Sequence, residues 1–144
     1  MNIQRILATK GGNVFTIRPE QSIHEAIASL VQHNIGALVV IDEGRRPVGI
    51  ISERDIIRHL AKNENIFTKS VETIMTKNVI TGLPQDDILS VANTMTEKRI
   101  RHLPVVEHGR LIGIVSIGDV VKTQRDQYKG EIDTLQTQIL GEQA

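Results

Sequence analysis

The chain is an internal duplication, which restricts it to folds built from two equivalent halves. Val14-Phe-Thr-Ile-Arg-Pro19 aligns with Val79-Ile-Thr-Gly-Leu-Pro84, and the register runs on, with one residue lost, to Ser52-Glu-Arg-Asp55 over Ser116-Ile-Gly-Asp119. Matched identities include Thr16/Thr81, Pro19/Pro84, Ile23/Ile88, Ile35/Ile100, Gly44/Gly109, Gly49/Gly113, Ser52/Ser116 and Asp55/Asp119. Many of these are turn or polar residues, whereas packing alone would retain apolar positions first. Two related sites are therefore to be sought. In a chain of 144 residues, each half is too small to bury a comfortable core alone, so the two are expected to share one cooperative body.

Each half reads in the same order. Ser22-Ile-His-Glu25 has the form of a capping box, with the serine hydroxyl reaching forward and the glutamate reaching back to free amides. Ile23, Ala26, Ile27, Leu30 and Val31 then recur at helical spacing, and Ile88, Val91, Ala92 and Met95 answer at the matching places. After Asn34 or Gly36 the pattern becomes strand, polar turn, strand: Ala37 to Ile41, Asp42 to Arg46, Pro47 to Ile51. The second half repeats it with Leu103 to Val106, Glu107 to Arg110 and Leu111 to Val115. A short opening strand near Val14 or Val79 and a helix starting at Ser52 or Ser116 complete a β-α-β-β-α unit. The fold class is thus α/β (α+β), with boundaries expected at 8–70, 71–130 and a helical tail at 131–144. Residues 62–70 read as a polar linker, and Val71 to Met75 as a short helix. On the tail, Tyr128, Ile132, Leu135 and Ile139 form one narrow stripe, which either packs back on its own domain or makes a dimer contact.

Several functions lack the residues they need. With no Trp, one Tyr and two Phe, the core must be aliphatic and aromatic stacking on a ligand is almost unavailable. The net charge is zero, which removes the attraction that drives non-specific binding to nucleic acid or anionic membranes. There is no cysteine, hence no disulfide, thiolate nucleophile or cysteine metal site. The histidines lack ligand spacing for a metal. No apolar stretch approaches a membrane span, and Met1-Asn-Ile-Gln-Arg5 does not resemble a signal peptide, so a cytoplasmic location is expected. No phosphate-binding loop, nucleophile elbow, zinc-protease or dinucleotide fingerprint is present, and a non-catalytic role is expected. Lys10-Gly11-Gly12 reads as a flexible turn.

The chemistry concentrates at Gly49-Ile-Ile-Ser52-Glu-Arg-Asp55 and Gly113-Ile-Val-Ser116-Ile-Gly-Asp119. A carboxylate in the first turn of a helix can accept two hydrogen bonds from the vicinal diol of a ribose. Its phosphate would then lie towards the helix start and the serine hydroxyl. Ser-x-x-Asp before an apolar run is also a cap pattern, and capping explains both residues without a ligand. Gly49 and Gly113, inside strands, suggest a close approach of something to the backbone. Arg99, Arg101 and His102 cluster before a strand, where they could bind an anion or simply be solvated.

Taken together, the doubled motif, the paired Thr and Pro openings, His102-Leu-Pro104-Val-Val and Ile74-Met-Thr76 resemble a tandem pair of cystathionine-β-synthase-type (CBS) domains, over roughly residues 5–123. The resemblance implies two repeats about a pseudo-twofold axis with two clefts for adenine nucleotides. It implies that Asp55 and Asp119 hold ribose, and that Ser52 and Ser116 lie near phosphate. Thr16 and Thr81 would border adenine with the backbone of Ile35, Gly36 and Ala37 and of Arg101, His102, Leu103 and Pro104. The chain is similar to stand-alone bacterial pairs that bind AMP and NAD(H), so AMP, ATP or NAD(H) is the expected ligand. A homodimer and an effector protein of unknown identity are the expected partners. The copies differ: Ile117-Gly118 replaces Glu53-Arg54, so the clefts should be inequivalent. Arg54 is expected to reach a phosphate. Arg101, His102 and Asp119 are expected together in the better adenosine site.

Overall fold

The computed structural model describes the backbone of residues 1–143 and the side chains of residues 1–136. Its elements run α1 (Ile3–Lys10), β1 (Thr16–Ile17), α2 (Ile23–His33), β2 (Ala37–Ile41), β3 (Pro47–Ser52) and α3 (Glu53–Leu60). After a single 3-10 turn at Val71–Thr73 come α4 (Ile88–Lys98), β4 (His102–Glu107), β5 (Arg110–Ser116) and α5 (Ile117–Gln143). In the first half β1 lies parallel to β2, which pairs antiparallel with β3. In the second half β4 and β5 form the matching hairpin.

The expected opening strand of the second half shrinks to one parallel bridge. Gly82 N donates to Pro104 O at 2.9 Å and Gly82 O accepts from Val106 N at 2.9 Å. A Cβ on Gly82 would sit 2.8 Å from Leu103 Cδ2, so the residue is kept small for packing, in a position where glycine weakens a strand.

Helix ends follow local chemistry. The Ser22 hydroxyl accepts from Glu25 N at 3.1 Å and caps α2. The second half of the expected box is absent, because the Glu25 carboxylate accepts from the Gln21 amide at 2.6 Å. Helix α2 ends at Asn34 in the left-handed conformation, and α4 ends at Arg99 in the same conformation.

Two aliphatic cores result, and each borrows from the other half. The linker residues Ile66, Val71 and Ile74 pack into the core made by Ile23, Leu38 and Ile51. Helix α1, which precedes the first half, instead places Ile3 and Ile6 among Val91, Met95 and Val115 of the second. The expected β-α-β-β-α unit does not include this helix, although Asn2 caps it and Ile3, Ile6 and Leu7 carry the helical spacing. A smaller cluster of Val39, Ile41 and Leu111 joins the halves. There, Leu111 N donates to Arg45 O at 2.9 Å and Arg45 Nε donates to Leu111 O at 3.1 Å.

The strand glycines serve this exchange. A Cβ on Gly49 would collide with Met75 Sδ, and one on Gly113 would lie 2.7 Å from Leu7 Cδ2. The close approach expected at both positions is therefore made by the protein's own side chains.

Helix α5 is one continuous helix, so the expected tail is its extension. Tyr128, Ile132 and Leu135 are exposed; the side chain of Ile139 lies outside the described residues. No helix among the described residues is long and apolar enough to cross a membrane.

Candidate functional site

Both strand-to-helix junctions are built alike. Asp55 Oδ2 accepts from Ser52 N at 3.0 Å, while Asp55 N donates to Ser52 Oγ at 3.2 Å. Asp119 Oδ2 accepts from Ser116 N at 2.9 Å, and Asp119 N donates to Ser116 Oγ at 3.1 Å. The capping interpretation is thus real in both copies. It fixes each carboxylate through one oxygen and leaves Oδ1 without a hydrogen bond among the described residues.

The copies diverge around that shared frame. Lys10 Nζ lies 2.6 Å from Asp119 Oδ2 and donates to Ile114 O at 3.0 Å. Lys10, read as part of a flexible turn, therefore anchors the end of α1 to the second half. Burial alone would raise the Asp119 pKa, but the Lys10 ammonium and the Ser116 N–H outweigh it and hold the carboxyl below its ordinary value. Among the described residues no cation forms an ion pair with Asp55.

A cleft of about 600 Å³ lies beside Asp55. Gly36, Ser52 and Arg54 line it from the first half, and Arg101 and His102 from the second. Arg101 and His102, expected with Asp119, line the cleft of Asp55 instead. The coupling to Asp119 survives only at His102. Burial, then the charges of Lys10 and Arg101, push His102 below its ordinary pKa, with Asp119 opposing. Asp119 itself lines a separate cleft of about 530 Å³ between α1 and α5, with Arg5, Lys10 and Lys122.

The remaining expected residues lie elsewhere. Ile35 borders an apolar hollow of about 410 Å³ between α2 and α3. Ala37 and His102 stand opposite Ser52 and Ser116 in their hairpins. Ala37, Leu103 and Pro104 are buried, Thr16 pairs with Val39, and Thr81 is exposed. Gly118 is in the first turn of α5. Of these side chains only Ser52 and His102 line the 600 Å³ cleft.

Arg99, one of the cluster that could bind an anion or be solvated, also faces the cleft, as do Arg58 and Thr76, which no motif singled out. Arg58 was legible in principle, since it is four residues after Arg54 and so shares its helix face.

The sequence pattern of the CBS domain family matches residues 5–62 and again 71–126. The chain is a tandem CBS pair. Solved CBS structures share its fold. The CBS-domain protein ATU1752 of Agrobacterium tumefaciens is 41% identical with a TM-score of 0.81, covering 86% of this chain and 99% of that one. The CBS pair of protein MJ0100, solved with 5′-methylthioadenosine and S-adenosyl-L-methionine, is 34% identical with a TM-score of 0.78, covering 88% and 98%. The CBS protein PAE2072 of Pyrobaculum aerophilum, solved with AMP, is 29% identical with a TM-score of 0.74, covering 83% and 89%.

Proposed function

We propose that this CBS pair is a non-catalytic sensor that binds an adenine nucleotide (AMP, ATP or NAD(H)) beside Asp55 and reports it through a change in shape or assembly. The carrying observation is the composite cleft. Its size suits a small ligand, a capped carboxylate with one uncommitted oxygen supplies an acceptor for a ribose diol, and guanidinium groups face it from both halves. The adenosyl ligands of the MJ0100 and PAE2072 pairs support the same ligand class. A closing ligand would pull on both repeats at once, which is how occupancy becomes shape. The reading places the module in the cytoplasm, with the nucleotide pools it would report.

Micromolar affinity corresponds to about −8 kcal/mol. Losing a charged hydrogen bond to ribose removes about 1.5–3 kcal/mol of it. Asp55→Asn should therefore weaken nucleotide binding roughly tenfold to a hundredfold in titration calorimetry. Unchanged affinity would remove Asp55 from the site.

A second reading, a dimerising scaffold, is favoured by one observation: Tyr128, Ile132 and Leu135 of the α5 stripe face solvent. It is compatible with sensing, since a dimer can be what the ligand alters.

A further inference from the structure

The duplication supplies its own control, because every position of the Asp55 cleft has a counterpart in the other half. Arg54 and Arg58 on α3 match Gly118 and Lys122 on α5, and Arg99 and Arg101 before β4 match Asn34 and Gly36 before β2. One cleft therefore gathers four arginines against Glu53 and Asp55, a net charge of +2. The matched positions of the other half leave Lys122 against Asp119, a net charge of zero. The Asp119 cleft draws its other cations, Arg5 and Lys10, from α1, and with Lys122 against Asp119 and Asp126 its side chains carry +1, Lys10 being spent on Asp119.

Two further observations single out these arginines. None of the four side chains makes an ion pair or hydrogen bond among the described residues, although Glu53 and Asp55 line the same cleft. Arg99 also holds a left-handed backbone, φ 55°, that its counterpart Asn34 adopts with φ 51°. That conformation is routine for asparagine and unfavourable for arginine, so the guanidinium is kept at a place where the backbone alone would select against it.

The arginines are spread, not stacked on one point. Arg54 and Arg58 leave the backbone one helical turn apart, about 6 Å along the axis of α3, so together they can span two linked phosphates. Arg99 and Arg101 approach from the opposite repeat. A monophosphate near the start of α3 would leave part of this set unused.

We propose that the Asp55 cleft selects adenine nucleotides by phosphate number, preferring those with two or more linked phosphates, and that Arg58 and Arg99 set this selectivity. The proposal rests on the nucleotide reading above and assigns its ligand class within it.

The test is titration calorimetry of the full chain with adenosine, AMP, ADP, ATP and inorganic pyrophosphate. The same panel is run on the variant carrying Arg58→Gln and Arg99→Asn. Asparagine keeps the left-handed cap intact, as Asn34 does. Wild type should bind ADP and ATP at least tenfold more tightly than AMP, with a margin that narrows as salt screens it. The double variant should lose most of that margin, with ADP and ATP weakened by a clearly larger factor than AMP. Equal affinity of wild type for AMP and ADP overturns the selectivity and leaves the nucleotide reading standing, as does a double variant that loses AMP and ADP alike. Binding of pyrophosphate with no binding of any nucleotide does the reverse: the anion-selective cleft stands and the nucleotide reading falls.

Discussion

A carboxylate that caps its own helix is not thereby spent. At Asp55 and Asp119 the cap engages one oxygen, Oδ2, and the same bonds that satisfy the helix start hold the other oxygen in a fixed direction. Ser-x-x-Asp was legible at both places because capping is a local pattern. What surrounds each carboxylate was not, since Lys10 reaches Asp119 across 109 residues of sequence. His102 shows the consequence. It stands where burial and the positive charges of Lys10 and Arg101 disfavour its protonation, with Asp119 the opposing group. Its folded pKa lies below the ordinary 6.5, so the unfolded chain binds more protons in the window between the two values. The stability gained from this site is complete above pH 6.5 and is lost as the pH falls through the folded value. Thermal unfolding followed from about pH 7 to pH 5 should therefore show a smaller decline in Tm for His102→Asn than for wild type. Parallel declines would mean that His102 is not the group responsible.

Elements in this fold were easier to foresee than their partners. Periodicity and turn residues located α2, α4 and both hairpins, because each depends on neighbours in sequence. The exchange of leading segments depends on packing between distant residues, and no local pattern announces it. Gly49 is the instructive case: a glycine inside β3 signalled a close approach, but nothing nearby said that Met75 of the linker would make it. The linker is tied there twice, since Ile50 and Thr76 also form an antiparallel bridge, with Ile50 N donating to Thr76 O at 3.0 Å and Thr76 N to Ile50 O at 2.8 Å. An added methyl must displace the methionine side chain, because the backbone behind it is held. Gly49→Ala should then cost about 1–3 kcal/mol of stability, the usual cost of overpacking. Combining it with Met75→Ala should recover at least about 1 kcal/mol relative to the sum of the single changes, since the two share one space. Strict additivity in denaturant titrations would show that the glycine answers to something else.

At the scale of the whole molecule, the cleft is a product of assembly, which is why no local pattern joins Arg54 to Arg99 and Arg101. Arg54 and Asp55 come from one repeat and Arg101 and His102 from the other, and only the contact between halves makes them neighbours. The same reasoning applies one level up, to α5. This helix has 27 residues, about 40 Å at 1.5 Å per residue, and its buried residue Val120 lies in the first turns. From Arg125 to Gln136 every residue is exposed. A helical stretch of that length without tertiary packing is marginal in water, since most helix stability in proteins comes from an apolar face held against something. Tyr128, Ile132 and Leu135, spaced four and three apart, supply such a face, and a second copy of the same stripe is self-complementary in the way a twofold interface requires. The full chain should therefore run as a dimer in light scattering, and the pair Ile132→Glu and Leu135→Glu should convert it to a monomer. Nucleotide affinity at Asp55 should stay within about twofold, as expected for sites without shared partners. A wild-type chain with the mass of a monomer at the concentrations of the binding experiments would leave α5 unpartnered and sink this account of its length.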